Sequence, residues 1–244
     1  MFPEHVYGRE MPTAQDRAPQ RLPRGRHGLP RRFIVHNQRE RMLLAVAEAV
    51  AEQGYATTTV ADIIARARLS RRTFYEHFSD KEECFLAAYD TVVEQLLSAV
   101  GHAYEQADGW AQKVHDGLET FLGYLASEPA FARMCIVEVV AAGPDARARR
   151  DAAMRVFVDF LEPGRAEAPS GVTVPSLASD VVVGGIYEII YNRLLRDAAD
   201  ELVEMLPELF YCALVPYIGH AKAEKAMQEA ATHRAAAAHD DADD

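Results

Sequence analysis

The stretch TVADIIARARLSRRTFYEHF, from Thr59 to Phe78, predicts two short helices joined by a tight turn. The second helix commits only Phe74 and Phe78 to an apolar core, whereas its other side chains are polar. A helix this short gains little from intrinsic propensity, so its neighbours must hold it and its outer face is available for another role. We interpret it as a helix that enters the major groove of DNA, with Ser70 as its N-cap. The first helix carries apolar residues at helical spacing, namely Val60, Ile63, Ile64 and Ala67.

The residues before this stretch predict a supporting helix and an arm. The helix runs from about Ile34 to Gln53, and Gly54 supplies a left-handed residue to end it. Residues 1–32 hold five prolines and almost no apolar periodicity, which indicates a flexible arm. Residues 17–41 contain eight arginines and one acid. This basic run is either a solvated face or an arm that contacts DNA phosphates or the minor groove.

The residues that follow predict helices and no strand, so the expected fold is all-α with about nine helices. A three-helix helix-turn-helix domain occupies residues 33–80, and a capping box at Ser79–Glu82 opens a connecting helix that reaches about Val100. A larger domain is expected at 101–220, with a loop at 162–175. The acidic segment 221–244 is predicted to be largely disordered. Within the larger domain the helices are predicted from Trp110 to Leu125, from Pro129, from Ala153 to Leu161, over 176–198 and over 201–217.

The charge distribution separates two parts of the chain. The whole sequence carries a net charge of −11. Residues 1–80 hold 13 basic and 9 acidic residues, a net charge of +4, whereas residues 81–244 hold 13 and 28, a net charge of −15. This asymmetry indicates a nucleic-acid-facing end on an acidic body.

Several functional classes lack support in the sequence. No uncharged apolar run reaches the ~18 residues that span a bilayer, and no signal pattern opens the chain, so we expect a cytoplasmic protein. The nine histidines include no pair at i, i+3 or i, i+4 that would hold a metal, and no paired acid and base or phosphate loop is present. We therefore expect no enzyme, no metal and no cofactor. The three cysteines, Cys84, Cys135 and Cys212, are predicted to be buried reduced thiols.

The stretch from about Gln38 to Val100 resembles the DNA-binding domain of the TetR/AcrR family of transcriptional regulators. The shared pattern is G-Y-x-x-T-T-V-x-x-I followed by S-x-x-T-F-Y-x-H-F-x-x-K-E, which begins here at Gly54 and ends at Glu82. The family usually has a small residue at the position of Ile64 and glycines at those of Arg68 and Arg72. Arg68 therefore stands where a positive φ is often needed.

The resemblance implies a DNA contact set around the turn. Thr59, Tyr75 and Lys81 are implied to contact phosphates. We assign Arg71 and Arg72 to base readout, because arginine recognises guanine bidentately, with phosphate contact as the alternative for each. The remaining candidates are Thr73, which suits a thymine methyl, His77, which contacts either DNA or the first helix, and the two hydroxyls of Thr58 and Ser70.

The resemblance also implies a homodimer whose larger domain binds a small molecule. The phrases GGIYEIIYNRLL and LPELFYCALVPYIG resemble helices that pair across a dimer axis. Glu138 is a single charge in an apolar run, so it either pairs with an arginine such as Arg133 or Arg193, or faces a cavity. The candidate interface residues are Gly184, Gly185, Tyr191 and Phe210. For the four aromatics of the predicted helices 110–125 and 153–161 ordinary core packing is the alternative, and for Tyr187 it is a hydrogen bond at the dimer interface. The candidate pocket residues are Phe121, Tyr124, Glu138, Phe157, Phe160 and Tyr187.

These features predict a homodimeric, sequence-specific repressor that leaves a near-palindromic operator when a small apolar or amphipathic ligand binds, for example a fatty acyl compound. The alternative is a DNA-binding factor of the nucleoid or division type that senses no ligand. A cavity in the larger domain would favour the first hypothesis, and a solidly packed domain would favour the second.

Overall fold

A computed structural model describes residues 31–240 of the chain, with side chains described for 34–232. Within residues 31–240 the structure is helical and contains no strand, which confirms the all-α prediction; ten α-helices stand where about nine were expected. They are α1 (Arg31–Gln53), α2 (Val60–Ala67), α3 (Arg71–Tyr75), α4 (Lys81–Gln106), α5 (Trp110–Ser127), α6 (Pro129–Ile136), α7 (Pro144–Leu161), α8 (Ala178–Leu194), α9 (Leu206–Ile218) and α10 (His220–Asp240). Three 3-10 helices, Glu138–Val140, Glu162–Glu167 and Asp200–Met205, lie between them.

The first three helices pack around the ring of Phe74. Phe74 is fully buried, in one apolar cluster with Met42 of α1 and Ile63 of α2. The ring of Phe78 is also buried, with its centroid 5.8 Å from that of Phe74. These two aromatics hold α3 from one side, as the sequence predicts, although α3 itself ends at Tyr75.

The long helix α4 belongs to both parts of the molecule. It begins after Asp80, whose carboxylate accepts a hydrogen bond from the Glu83 N–H at 2.8 Å, so the N-cap is Asp80 and not the predicted Ser79. Its first half buries Phe85 beside the N-terminal helices, while Leu96 in its second half packs into the body. α4 therefore packs against both α1 and α5, and a single apolar cluster continues from the N-terminal helices into the body.

The segment after α7 is more ordered than the predicted loop. It begins with the 3-10 helix, and the Arg165 guanidinium donates to the backbone carbonyls of residues 174–176 at 3.0–3.1 Å. Gly164 lies directly against Trp110, because a Cβ added at Gly164 would stand 2.2 Å from the indole ring. Trp110 in turn packs edge-on against Tyr217, with ring centroids 5.0 Å apart. A glycine is required here by close packing.

The tail differs most from the sequence prediction. Residues His220–Asp240 form α10, so the predicted disorder of segment 221–244 is wrong for most of its length; residues 241–244 lie outside the described part. Ala223 is fully buried, and α10 packs against α9. The predicted N-terminal arm lies almost entirely outside the described residues, and α1 begins at Arg31. No helix among residues 31–240 combines the length and apolarity needed to cross a membrane.

The cysteines fulfil the prediction at two of three positions. Cys84 and Cys135 are buried and carry free thiols, and burial raises the pKa of the Cys84 thiol to about 12 and that of Cys135 further. Cys212 is exposed on α9, so its predicted burial is wrong for the single chain. The apolar residues around Cys212 in the sequence face inward while its own position faces outward.

The turn between α2 and α3 adopts the left-handed conformation that the sequence suggested. Arg68 has φ 52° and ψ 45°, and its N–H donates to the carbonyl of Ala65 at 3.2 Å. The N–H of Leu69 donates to the carbonyl of Ile64 at 3.0 Å, which completes a left-handed helix end. The Arg41 guanidinium donates to the carbonyls of Ala67 and Arg68, so α1 fixes the turn from outside.

We expect Arg68→Gly to raise the free energy of unfolding by about 1 kcal/mol, because a residue with a Cβ is disfavoured in the left-handed region and glycine is not. Chemical denaturation measures this difference. Arg68→Ala is the matched control, since it removes the guanidinium but keeps the Cβ, and it should bring no gain. Equal stabilisation by both variants would assign the effect to the charge and contradict the backbone argument.

Candidate DNA-binding face and ligand cavity

Thr59 caps α2 through a reciprocal pair of hydrogen bonds with Asp62. The Asp62 N–H donates to the Thr59 hydroxyl at 3.3 Å, while the Asp62 carboxylate accepts from the Thr59 N–H at 2.8 Å and from its hydroxyl at 2.7 Å. These bonds hold the pKa of Asp62 below its usual value. The Thr59 hydroxyl is thus engaged within the chain, and the unpaired N–H groups at the start of α2 remain as donors for an anion.

The outer face of α3 presents two arginines and a tyrosine. Ser70 caps the helix, since its hydroxyl accepts from the Thr73 N–H at 3.0 Å and lies 2.8 Å from the Thr73 hydroxyl. Arg71 is exposed and its guanidinium lies 5.9 Å from the centre of the Tyr75 ring, which is itself 49% exposed. Arg72 is also exposed, and its Nε donates to Glu76 at 3.0 Å. Arg72 therefore contacts a carboxylate on α3, whereas the contact described for Arg71 is with the Tyr75 ring.

Lys81 and His77 are half-buried and contact other parts of the chain. The Lys81 ammonium donates to the carbonyl of Tyr55 at 2.7 Å and lies 4.1 Å from the centre of that ring, and burial lowers the pKa of Lys81. An ammonium has three donors, so a phosphate would share Lys81 with this internal bond. His77 Nε2 lies 3.4 Å from Gln38 Oε1 on α1, and partial burial lowers the pKa of His77. Of the two roles that the sequence allowed for His77, contact with DNA or with the first helix, the structure shows the contact with the first helix.

Thr58 is the one DNA candidate whose side chain the structure buries. It is only 2% exposed, and its hydroxyl donates to the carbonyl of Gly54 at 2.8 Å. The prediction that Thr58 contacts DNA through this side chain is therefore wrong. Adjacent hydroxyls at a helix start look equivalent in sequence, but only Thr59 occupies the capping position.

A cavity lies between α4, α5, α6, α7 and α8 in the body. Five of the six predicted pocket residues line it: Phe121, Tyr124, Phe157, Phe160 and Tyr187. The sequence analysis missed the α4 wall, which includes Tyr89, Leu96 and Tyr104, because α4 was predicted only as a helix that connects the two domains. The walls are apolar apart from a few hydroxyls and one arginine, Arg150.

The size of this cavity limits what fits without movement. Its volume is about 120 Å³. An engineered apolar cavity of ~150 Å³ in another protein holds a molecule of the size of benzene, whereas drug-sized ligands occupy ~300 to 1,000 Å³. A ligand larger than a single ring must therefore separate the helices that form the walls.

Glu138 does not line the cavity, so its assignment to the pocket is wrong. Its carboxylate accepts a hydrogen bond from the backbone N–H of Tyr55 at 2.8 Å, and it lies close to Gly54 in the turn between α1 and α2. It pairs with neither of the two arginines suggested from the sequence: Arg133 contacts Asp197, and Arg193 contacts Glu201. The partner is a main-chain N–H more than eighty residues away, which no side-chain pattern identifies.

The outward side of α8 is an apolar stripe on the single chain. Val181 is 70% exposed, Ile189 40% and Leu195 44%, and the three residues follow one another at roughly two-turn spacing. A Cβ at Gly184 or Gly185 would meet no atom within 4 Å, so neither glycine packs within the chain.

The other two predicted interface residues face inward to different degrees. Tyr191 is half-buried and packs against the main apolar cluster. Phe210 is only 2% exposed and packs edge-on against His115 at 5.1 Å, so its assignment to the interface is wrong. Because α9 is apolar around most of its circumference, sequence alone does not tell its inner side from its outer side.

One group of potential metal ligands occurs among the described residues. Ligand-type atoms of His115, Asp116 and Glu119 lie within 4.8 Å of one another on α5. His115 Nδ1 is already 2.8 Å from the Asp116 carboxylate, which also accepts a hydrogen bond from Gln112 at 2.6 Å. These contacts account for the cluster as a hydrogen-bonded group of one helix.

Comparison with known proteins begins with the N-terminal helices. Residues 43–88 match the family model described as bacterial regulatory proteins, tetR family. The HTH-type transcriptional activator FasR of Mycolicibacterium smegmatis is 25% identical over 154 residues, which are 63% of this chain and 65% of that protein. The HTH-type transcriptional regulator EthR of the same organism is 32% identical over 115 residues, 46% of this chain and 52% of that protein. The chain thus spans less than two thirds of either relative.

Solved structures with the same fold include two regulators named FadR, of which the one from Bacillus halodurans is described as a fatty acid degradation regulator. FadR from Bacillus halodurans superimposes with a TM-score of 0.65 at 16% identity, covering 72% of this chain and 94% of its own. FadR from Bacillus subtilis, solved in complex with stearoyl-CoA, gives a TM-score of 0.63 at 18% identity, covering 72% and 97%. These proteins and the sequence relatives are regulators, in agreement with the prediction that the chain is not an enzyme. Residues 43–88 thus match the tetR family of bacterial regulatory proteins, and the described chain shares its fold with the FadR regulators.

Proposed function

We propose that this TetR-family protein is a homodimeric, sequence-specific regulator of transcription, most simply a repressor that an amphipathic ligand releases from DNA. The observation that carries the proposal is the outer face of α3, where Arg71 and Arg72 project from a helix held by buried Phe74. Arginine is well suited to guanine readout, and the net charge of +4 over residues 1–80 supports binding of a polyanion.

The contacts within α3 favour Arg71 over Arg72 as the residue that recognises a DNA base. Arg71 lies over an exposed ring and carries no carboxylate contact there, so its guanidinium reaches a base edge without losing an ion pair. Arg72 must release Glu76 to bind DNA, although an exposed pair of this kind contributes only ~0.2 to 1 kcal/mol. Tyr75, Thr73, Ser70 and the N-terminus of α2 supply phosphate donors on the same side in this proposal.

We expect Arg71→Ala to weaken binding to the preferred sequence roughly 5- to 150-fold and to relax the preference at one base pair, because each bidentate arginine contributes ~1 to 3 kcal/mol of discrimination. The preferred sequence is first recovered from a random DNA pool, and fluorescence anisotropy then measures affinity at several salt concentrations. Arg155→Ala removes an exposed arginine of α7 and serves as the control, which should leave affinity and preference unchanged. Unchanged preference in Arg71→Ala would assign the arginine to phosphate contact.

The apolar stripe of α8 supports the proposed dimer. Val181, Ile189 and Leu195 expose large apolar side chains at intervals of about two turns along α8, and such stripes are normally covered by a partner. Gly184 and Gly185 leave room for close approach of a second helix. A two-fold dimer would hold its two α3 helices about one DNA turn, ~34 Å, apart, which is the physical reason to expect a near-palindromic operator.

We expect Val181→Glu to convert the dimer to a monomer at micromolar concentration, because a charge at the centre of an apolar interface must be desolvated without a partner. Sedimentation velocity reports the mass directly. Val172→Glu introduces the same charge at a residue that is 54% exposed outside α8, and this variant should remain dimeric. A dimer that persists in Val181→Glu would place the interface elsewhere.

The cavity supports a ligand with a long apolar part and one anionic end. Its walls are apolar, and Arg150 is the charged residue among those that line it. Arg150 contacts Asp151 at 2.6 Å and lies 5.4 Å from the Tyr187 ring, so its cationic head faces both water and the cavity region. A fatty acid or acyl-CoA matches this chemistry, and the FadR structure with stearoyl-CoA has the same fold. The relative FasR is named an activator, so a ligand-dependent activator is the variant of this proposal that the binding experiment must distinguish.

We expect acyl-CoA thioesters of increasing chain length to lower the affinity of the wild-type protein for its operator. Ala153→Phe fills the cavity and should weaken acyl-CoA binding at least about 10-fold while leaving DNA affinity without ligand intact. Ala152→Phe adds the same ring to the neighbouring exposed position and is the matched control. Calorimetry of acyl-CoA binding and anisotropy of DNA binding measure the two effects. A rise in DNA affinity with acyl-CoA would indicate an activator, and no response at any length would favour the ligand-independent alternative.

A further inference from the structure

The peptide of Tyr55, in the turn between α1 and α2, is held from two sides. Its N–H donates to the Glu138 carboxylate at 2.8 Å, and its carbonyl accepts from the Lys81 ammonium at 2.7 Å. Its ring lies against that ammonium at 4.1 Å and packs edge-on against Phe85, with centroids 5.0 Å apart. Glu138 belongs to the body, whereas Lys81 and Phe85 belong to the start of α4. The turn is therefore a junction between the body and the N-terminal helices.

The segment that carries Glu138 also forms part of the cavity wall. Cys135 and Ile136, at the end of α6, line the cavity, and the 3-10 helix starting at Glu138 follows after one residue. The Tyr187 hydroxyl on α8 donates to the carbonyl of Ile136 at 2.6 Å. This bond ties the end of α6 to α8, a second helix that lines the cavity. A displacement of Ile136 from Tyr187 is transmitted to Glu138 through only two peptide units.

On the cavity side, these contacts begin at Arg150, the charged residue among those that line the cavity. Arg150 lies 5.4 Å from the Tyr187 ring, and the hydroxyl of that tyrosine is the donor to Ile136. A ligand that engages Arg150 or separates α6 from α8 acts directly on the Tyr187 bond. The contacts thus form a continuous path from the cavity to the turn that precedes the α2 cap, Thr59.

We propose that Glu138 is a positioning residue that couples the cavity wall to the DNA-binding helices, by holding the Tyr55 N–H in place only while Tyr187 holds Ile136. The inference rests on the proposed function in one respect: a ligand in the cavity is what would break the Tyr187 bond in the cell. The contacts from Tyr187 through Ile136 and Glu138 to Tyr55 are present in the protein without ligand or DNA. Loss of the Glu138 bond frees the turn and with it the start of α2, which contributes phosphate donors in the proposed complex.

The hydrogen bond between the Glu138 carboxylate and the Tyr55 N–H is sensitive to small movements of the cavity wall. A hydrogen bond from an N–H to a carboxylate is stronger and shorter than a neutral one, and it weakens steeply when donor and acceptor separate. A wall movement of about an ångström is therefore enough to break it. Because the cavity is smaller than a long acyl chain, such a movement must accompany binding of a ligand of that class.

Amide hydrogen exchange of Tyr55 in the full chain, without ligand and without DNA, tests the coupling. Glu138→Ala should speed exchange of the Tyr55 N–H roughly 10-fold or more, the effect of losing a hydrogen bond to a charged group. Glu138→Gln keeps an acceptor oxygen at the same reach and should restore most of the protection. Tyr187→Phe, on α8, should also speed exchange at Tyr55, and it should add nothing in the Glu138→Ala background.

Tyr104→Phe is the matched control for Tyr187→Phe. It removes another cavity hydroxyl, which donates to the Phe160 carbonyl at 2.9 Å and is not part of the path, and it should leave Tyr55 exchange unchanged. Wild-type exchange in Tyr187→Phe, or an equal increase in Tyr104→Phe, would overturn the coupling. So would additive effects of Tyr187→Phe and Glu138→Ala. A protein that shows the expected exchange pattern but keeps its DNA when acyl-CoA binds would contradict the proposed ligand response and leave the coupling supported.

Discussion

Burial of one apolar stripe along α4 is the interaction on which the other features depend. Phe85 at one end of the stripe helps to close the core of the helix-turn-helix, and Leu96 at the other end forms a cavity wall. A helix that is continuous over 26 residues does not bend easily between these two environments. The DNA-binding face and the cavity are consequently parts of one packed body, and a change in either alters the surroundings of the same helix.

The sequence predicted the elements whose periodicity was strong and the contacts that depend on local chemistry. The helix positions and the Ser70 cap follow from rules that involve neighbouring residues, and the resemblance to the TetR/AcrR pattern indicated the positive φ of Arg68. Prediction from the sequence failed where a residue binds a partner that is distant in the chain or is a backbone group. Glu138 binds a backbone N–H across the domain boundary, and no pattern of residue types reveals such a bond.

Other failures have a different physical origin. Phe210 lies on a helix that is apolar on nearly every side, so hydropathy does not define which side meets the core. The tail was judged by its acidic end, although its preceding alanines favour a helix that packs on α9 through small side chains such as Ala223. The acidic composition of this segment carried no information about the surface that α9 offers to it.

The tight contact between Gly164 and Trp110 has a practical consequence for studying the protein. Trp110 is the only tryptophan of the sequence, it is buried in the body, and the helix-turn-helix contains none. Intrinsic tryptophan emission therefore reports on the body alone, without labelling. Far-ultraviolet circular dichroism sees all helices at once. Coincident transitions in the two signals would mean that the DNA-binding helices and the body unfold as one unit, and separate transitions would mean that they do not, in a single unmodified sample.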